Sequence, residues 1–271
     1  MRIGVLGGGQ LGRMLGLAGH RLAMQLRFFD TKDNACAGDV GELISAPFDD
    51  GNALTRFADG LDVATYEFEN VPNQTVEVLS DYVPVFPAVK SLQCTSDRLS
   101  EKQLFETCDV PVAPYAPVES KDQLDAALEH IGIPAVLKTR RMGYDGKGQT
   151  RIQTEEDAAA ARSAFQHDAF ILESLVPFDR EISVLGARNH DARIVIYPLV
   201  ENLHREGILV RSIAPAVHVT QSLQHKAETY FKSVIDALDH VGMLAIEFFE
   251  KDGELYANEM APRVHNTGHW T

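Results

Sequence analysis

Residues 2–6 form a short apolar run that stops at Gly7-Gly8-Gly9, after which Leu11, Met14, Leu15 and Ala18 recur at helical spacing. The pattern predicts a strand, a tight turn and a helix. Further apolar runs at 26–30, 61–66 and 83–86 predict three more strands, the first of them ending in Asp30. Strands alternating with helical spacing indicate a parallel sheet covered by helices. Proline then becomes dense, at Pro84, Pro87, Pro111, Pro114 and Pro117, around a predicted helix over 97–108 with Ser96 as its cap and Leu99, Leu104 and Phe105 inward. The domain boundary falls here, giving units over 1–95 and 96–271, the second with a small part over about 112–175 and a central part over about 176–271.

The second unit has a different rhythm. Helices are predicted over 121–130, 155–165 and 221–240, and strands over 135–138, 169–173, 181–187, 193–200 and 208–213. Consecutive strands with turn signals between them indicate an antiparallel sheet, so the chain combines α/β and α+β organisation. Two last strands, 243–249 and 255–260, flank Asp252-Gly253, a strong hairpin signal.

Composition narrows the partners. In 271 residues, 45% hydrophobic and 24% charged side chains exclude disordered and fibrous classes. The 25 Lys and Arg against 39 Asp and Glu give a net charge of −14, which repels nucleic acid and anionic lipid. An anionic ligand must therefore be held by local cations and backbone N–H groups. Cys36, Cys94 and Cys108 are widely spaced with no CxxC pair, which argues against a disulfide framework or zinc knuckle and for a reducing cytoplasm. No secretory h-region and no 18-residue apolar run is visible, so no membrane segment is expected.

Gly7, Gly9 and Gly12 satisfy GxGxxG between a strand and a helix, and Asp30 ends the next strand 18 residues after the last glycine, as a nicotinamide-binding fold requires. The physical content is broader, because glycines let the backbone approach an anion at a helix N-terminus. A dinucleotide, another phosphate and simple tight packing carry comparable weight from this motif alone.

Lys138 closes an apolar strand just before Arg140, Arg141 and the glycine-rich stretch Gly143-Tyr144-Asp145-Gly146-Lys147-Gly148, a combination suited to a polyphosphate. It is no Walker A loop, since GxxxxGK[ST] is absent, and a solvated basic hairpin is the bland alternative. Glu247 and Glu259 lie on the two arms of the Asp-Gly hairpin. A three-residue loop centred on Gly253 sets them opposite one another, whereas a two-residue loop sets Glu247 against Asn258. Either register gathers oxygen donors suited to Mg²⁺ shared with substrate phosphates. Beyond the hairpin, 261–271 reads as a substrate loop; His265 and His269 are four apart, but Thr267 and Gly268 make a helix poor there and zinc is discounted.

Several strings then converge. Gly7-Gly8-Gly9-Gln10-Leu11-Gly12-Arg13-Met14, Thr65-Tyr66-Glu67-Phe68-Glu69-Asn70-Val71-Pro72, Asp97-Arg98-Leu99, the run from Gly143 to Gln149, and Asn258 through Thr271 closely resemble the 5-(carboxyamino)imidazole ribonucleotide synthase family. These are ATP-grasp carboxylating enzymes of purine biosynthesis. The resemblance spans essentially the whole chain and implies a Rossmann-like pre-ATP-grasp domain followed by an ATP-grasp domain. It also implies that ATP, bicarbonate and 5-aminoimidazole ribonucleotide give the N-carboxylated ribonucleotide, ADP and phosphate through carboxyphosphate.

Carried over by position, Arg98, Lys138, Gly143, Tyr144, Asp145, Gly146, Lys147, Gly148, Gln149, Glu173, Ser174, Leu175, Val176, Glu181, His204, Asn258 and Glu259 would bind ATP. Lys138 would meet the phosphates, Glu173 and Val176 the adenine edge, and Glu181 the ribose. Glu247 and Glu259 would hold Mg²⁺, with two ions expected. Gln10 and Leu11 would offer N–H groups to the ribonucleotide phosphate, Glu69 its ribose a partner, and His265 and Asn266 further contacts. Tyr144, Asp145, Lys147 and Arg263 are the catalytic candidates, with Asp145 the proton acceptor and the glycine-rich loop a closing lid. A homodimer is implied as well.

The family continues past the HNxGHWT segment into a small C-terminal domain that supplies a further lysine, while this chain stops at Thr271. The chain by itself is thus expected to bind Mg-ATP but to carboxylate poorly. The alternatives are the formate-dependent glycinamide ribonucleotide transformylase of the same superfamily, a nicotinamide dehydrogenase, and a non-catalytic nucleotide-binding module.

Overall fold

The computed structural model describes residues 1–143, 147–165 and 169–271. Strands β1 (Arg2–Leu6), β2 (Gln25–Asp30), β3 (Glu42–Ser45) and β4 (Val63–Tyr66) make an all-parallel sheet in the order β3-β2-β1-β4. Helices α1 (Gln10–Arg21), α2 (Gly51–Ala58), α3 (Asn73–Ser80) and α4 (Val89–Thr95) complete this unit. Its core centres on the fully buried Phe29, Phe57, Tyr66, Leu54 and Leu79. The strand expected over 83–86 contributes only an isolated bridge between Ala64 and Val85. Pro84 and Pro87 flank it, and proline has no N–H for a ladder. The fourth strand is β3 instead, whose Leu43 and Ile44 are only half-buried and give a weak apolar signal.

Helix α5 (Arg98–Thr107) joins the two units. Its N-cap is Asp97, whose carboxylate accepts from Leu99 N at 3.0 Å; Ser96, the expected cap, still has helical dihedrals and closes α4. The buried face of α5 carries Phe105 but also Glu101 and Lys102.

The second unit holds two antiparallel sheets where one was expected. The first is built from β5 (Tyr115–Val118), β6 (Ala135–Thr139), β7 (Gln149–Ile152) and β8 (Phe170–Ser174) in the order β5-β8-β6-β7. Helices α6 (Lys121–Ile131) and α7 (Glu155–Ala164) share a core with it through Leu124, Leu128, Ala158 and Ala161. After a connector containing Pro177, the second sheet runs β12-β11-β9-β13-β14, with β10 also on β9. Its strands are β9 (Arg180–Arg188), β10 (Ile194–Ile196), β11 (Val200–Arg205), β12 (Ile208–Ile213), β13 (Gly242–Lys251) and β14 (Glu254–Ala261). Pro198 splits the run expected over 193–200 into β10 and β11. Helix α8 (Gln221–Ala237) buries Leu223, Ala227, Phe231 and Val234 in one core with Ile182, Val184, Leu244, Ile246 and Phe248 of the sheet. Among the described residues no helix is long and apolar enough to cross a membrane.

Candidate active site

The β13–β14 hairpin turns on two residues, Asp252 and Gly253, both at positive φ, and Lys251 pairs with Glu254. Continued unbroken, that register would oppose Glu247 to Asn258. A bulge intervenes: Phe248 pairs with Ala257 and Glu247 with Glu259, leaving Asn258 as the extra residue. The two carboxylates are thus brought directly opposite one another by a short loop plus a bulge, neither of which alone would do it.

The charged face of α5 holds this bulge. Lys102 Nζ donates to Ala257 O at 3.1 Å and Asn258 O at 2.9 Å, and Met260 N donates to Glu101 Oε1 at 2.6 Å. Lys102 Nζ also lies 3.2 Å from Glu173 Oε2, and Lys138 Nζ lies 3.1 Å from Glu173 Oε1. Burial works against the Glu173 carboxylate, but the two lysines prevail and hold it at about 2. The Glu173 carboxylate is thus held between two lysines. For Lys138, burial lowers the ammonium pKa, opposed chiefly by Glu173. Its Nζ also lies 3.4 Å from Asn258 Oδ1, so one strand-end lysine touches both sheets.

Electrostatics separate the paired acids. Burial, with the charge of Glu259 adding, pushes Glu247 up to about 8. Burial opposes ionisation of Glu259 too, but the Arg98 guanidinium, 3.1 Å away, holds its pKa below the ordinary carboxylate value. His265 Nε2 stands 3.6 Å from Glu247, its pKa lowered to about 3 by burial and by Arg263. His204 Nδ1 meets Glu181 Oε2 at 2.9 Å, and that bond raises the His204 pKa against burial. Among the described residues no group of three or more His, Cys, Asp or Glu side chains is arranged to hold a metal alone.

A cavity of about 560 Å³ unites these groups. Leu11 and Glu69 reach it from the first unit and Arg98 from α5; Lys138, Gln149, Glu173 and Ser174 come from the small sheet, Gly143 from the segment after β6, and Leu175 and Val176 from the connector. Glu181, His204, Glu247, Asn258, Glu259, Arg263, His265 and Asn266 line its other side. Gln10, Lys147 and Gly148 are absent from the lining; Tyr144, Asp145 and Gly146 lie outside the described residues. Gly148 has φ +72°, and a Cβ there would fall 2.5 Å from Thr139 Oγ1, so the loop end must be glycine. Phe178 and Phe249 stack at 4.7 Å and, with Val136 and Leu209, form an apolar wall of the cavity that the sequence reading overlooked.

On the first unit, Arg263 Nη2 contacts Glu69 at 2.6 and 2.9 Å, while Arg263 Nε and the Tyr66 hydroxyl are buried with no hydrogen-bond partner among the described residues. The segment after β14 closes as a 3-10 turn over Asn266–Gly268, with His265 Nδ1 on Thr267 Oγ1 at 2.9 Å, so His265 and His269 do not share an α-helical face. In the glycine turn, Gly9 N and Gly12 N donate to the Glu67 carboxylate and Gly8 N donates to Asp30 at 2.7 Å. Asp30, whose position at a strand end also suits a nicotinamide-binding fold, here binds its own glycine turn.

Comparison with known proteins places this geometry. Family models of the ribonucleotide synthetase preATP-grasp domain and of the ATP-grasp domain match residues 1–96 and 103–271. The class is therefore the ATP-grasp enzymes. N5-carboxyaminoimidazole ribonucleotide synthase of Pseudomonas aeruginosa is 49% identical over 271 residues, covering all of this chain and 74% of the relative. The crystal structure of the corresponding Thermus thermophilus synthetase superposes with a TM-score of 0.93 at 50% identity, covering 99% of this chain and 73% of that one. The Aspergillus clavatus synthase in complex with ADP and 5-aminoimidazole ribonucleotide superposes at 0.89 with 27% identity, covering 99% and 71%. The chain belongs to the N5-carboxyaminoimidazole ribonucleotide synthase family, ATP-grasp ligases that carry out ATP-dependent carboxylation in purine biosynthesis. The relatives support neither the formate-dependent transformylase nor the dehydrogenase reading.

Proposed function

We infer that the cavity carries out this carboxylation with bicarbonate as the carbon source and its own residues in the following roles. Lys138 and Arg98 grip the ATP phosphates, and the stretch from Gly143 to Gln149 closes over them. The base lies against Val176, Leu175 and the Phe178–Phe249 wall, with Glu181, held by His204, toward the ribose. Glu173 serves indirectly by fixing Lys138. Glu247 and Glu259, with Asn258 beside them, offer an oxygen-rich pair to Mg²⁺. A pair joined by no third acid among the described residues suits an ion that completes its shell with phosphate oxygens and water. When bound there, Mg²⁺ supplies neutralisation of the charge on the transferred phosphoryl group.

A bicarbonate oxygen attacks the γ-phosphorus of ATP; the bond to the β-phosphate oxygen breaks and ADP leaves, giving carboxyphosphate. Carboxyphosphate then splits into phosphate and carbon dioxide. The exocyclic amine of the ribonucleotide attacks that carbon and loses one proton, for which Asp145 is the assigned acceptor. Arg263 and His265 hold the carboxylate side of the reaction, and Tyr144 and Lys147 shield it from water under the lid. Gln10 and Leu11 take the ribonucleotide phosphate on backbone N–H groups, and Glu69, oriented by Arg263, its ribose. Asn266 adds a contact from the loop after β14.

The single observation that carries this reading is the meeting of Glu247, Glu259, Lys138, Leu11 and Glu69 in one cavity. Fixation of labelled bicarbonate tests it: label should enter the ribonucleotide one-for-one with ADP release and require both ribonucleotide and Mg²⁺. ADP release that ignores bicarbonate would overturn it. A cytoplasmic homodimer belongs to the same proposal, and light scattering on the purified protein checks the dimer.

A further inference from the structure

The glycine turn holds more acid than a phosphate site needs. Glu67 is 6% exposed, and its Oε1 and Oε2 accept from Gly9 N and Gly12 N, each at 2.5 Å. Gly8 N goes to Asp30 at 2.7 Å, Gly7 N to Phe29 O at 2.8 Å and Arg13 N to Gly9 O at 2.9 Å. Within this stretch, the N–H groups of Gln10 and Leu11 meet no acceptor among the described residues. Glu67 is also what the glycines accommodate. A Cβ at Gly7 would fall 2.4 Å from its Cγ, one at Gly9 2.8 Å from Oε1, and one at Gly12 3.3 Å from Oε2.

In a dinucleotide fold those glycines admit a pyrophosphate to the helix N-terminus. Here a side chain of the same protein fills that approach. We propose that Glu67 is a positioning and specificity-determining residue: by holding the Gly9 and Gly12 N–H groups inside the turn, it leaves two adjacent donors for one phosphomonoester and excludes a bridging pyrophosphate. This rests on the reading that Gln10 and Leu11 take the ribonucleotide phosphate. A second phosphoryl group would stand beside the Glu67 and Asp30 carboxylates, anion against anion.

Inhibition at saturating ATP by ribose 5-phosphate, a monoester, and ADP-ribose, a pyrophosphate, tests the idea in the wild type and in Glu67→Gln and Glu67→Asp. The amide turns an NH2 toward one of the two donors and the shorter acid cannot span both, so each variant loses one bond while nearly keeping the shape. The KM for the ribonucleotide should rise about tenfold, as loss of one charged hydrogen bond implies, with the KM for ATP unchanged. The preference for ribose 5-phosphate over ADP-ribose should fall by a similar factor. Folded variants that keep the wild-type KM and inhibitor preference overturn the role of Glu67, and so does a parallel rise in the KM for ATP, which a merely structural residue would cause. Failure of ribose 5-phosphate to compete with the ribonucleotide in the wild type would instead remove the phosphate assignment to Gln10 and Leu11.

Discussion

Two glycine-rich stretches each contribute a residue to the same cavity, Leu11 from the first and Gly143 from the second, and the charges around them follow opposite plans. The turn at Gly7–Gly12 has acids at its back, Glu67 and Asp30 bonded to its N–H groups, and offers an anion the positive end of α1 and two donors that meet no acceptor among the described residues. Gly143, which opens the second stretch, shares the cavity with Lys138, Arg98 and Arg140, of which Lys138 is buried and fixed by Glu173. A single phosphomonoester needs only the first arrangement, whereas a triphosphate whose charge changes during transfer needs cations already in place. A glycine signature therefore reports how closely backbone approaches its neighbour, and the acids and bases around it decide which phosphate comes.

The strongest way to break this contrast is to remove the acid on which the cationic region converges. Glu259→Gln keeps the volume but leaves Arg98 with a neutral partner and removes the like charge that faces Glu247. Phosphate release should fall by about a hundredfold to a thousandfold, in line with the loss of one preorganised charge at a transferring group. An unchanged urea midpoint would accompany it, since Glu259 faces the cavity rather than the core. Excess EDTA should silence the wild type to the same level, and full activity in EDTA would refute the Mg²⁺ assignment.

The next test concerns stability on the cationic side alone. Lys102→Met removes one of two lysines from the Glu173 carboxylate and strips the Ala257 and Asn258 carbonyls of their donor. Breaking a buried ion pair from one side costs about 3 kcal/mol, to be read from the urea midpoint. The KM for ATP should rise with it while that for the ribonucleotide stays put; an equal rise in both would mean that the two turns are not independent.

Lys102 also shows where sequence stops being informative. A lysine on an amphipathic helix reads as solvated, and nothing in the spacing of α5 says that its neighbours in space will be the carbonyls of a bulge more than 150 residues away. The hairpin was half legible. Parity along two strands confined Glu247 to two partners, and the Asp252-Gly253 pair signalled the tight turn, but the bulge at Asn258 depends on those α5 contacts and leaves no local trace. Parallel and antiparallel units were readable because apolar periodicity is local, while the split into two sheets and the weak β3 were not. Most of the candidate site could be listed through motif strings, yet the work of Glu67 could not, because its partner Gly12 lies 55 residues away.

A smaller effect sharpens the contrast at the glycines themselves. In Gly12→Ala the new Cβ would crowd Glu67 Oε2 and Gly7 O at 3.3 Å; in Gly148→Ala it would meet Thr139 Oγ1 at 2.5 Å with φ at +72°. Strain of this kind costs about 1–2 kcal/mol, or about tenfold in an affinity. Gly12→Ala should raise the KM for the ribonucleotide and spare ATP, and Gly148→Ala the reverse. Steady-state titration of each substrate in each variant gives the answer, and crossed effects would dissolve the assignment of one phosphate to each turn.

The smallest expected effect lies where the two regions are joined. His240 is fully buried between α4 and β13, its Nε2 donating to Met243 O at 2.9 Å and its Nδ1 2.9 Å from the Ser91 hydroxyl, which can donate to a neutral ring. Burial, with Arg188 nearby adding, brings its pKa down to about 4. The unfolded chain takes up that proton near the ordinary value of about 6.5. Between these two pH values the unfolded state binds more protons, so this contribution to stability is full above about 6.5 and is lost as the pH falls toward 4. From pH 7 to pH 6 the loss is about 1 kcal/mol or less. His240→Gln can keep one of the two bonds and has nothing to titrate, so its urea midpoint should start lower and decline less over that interval. If wild type and variant decline in parallel, the junction holding the two turns together is not protonated on unfolding, and other groups set the acid sensitivity of the fold.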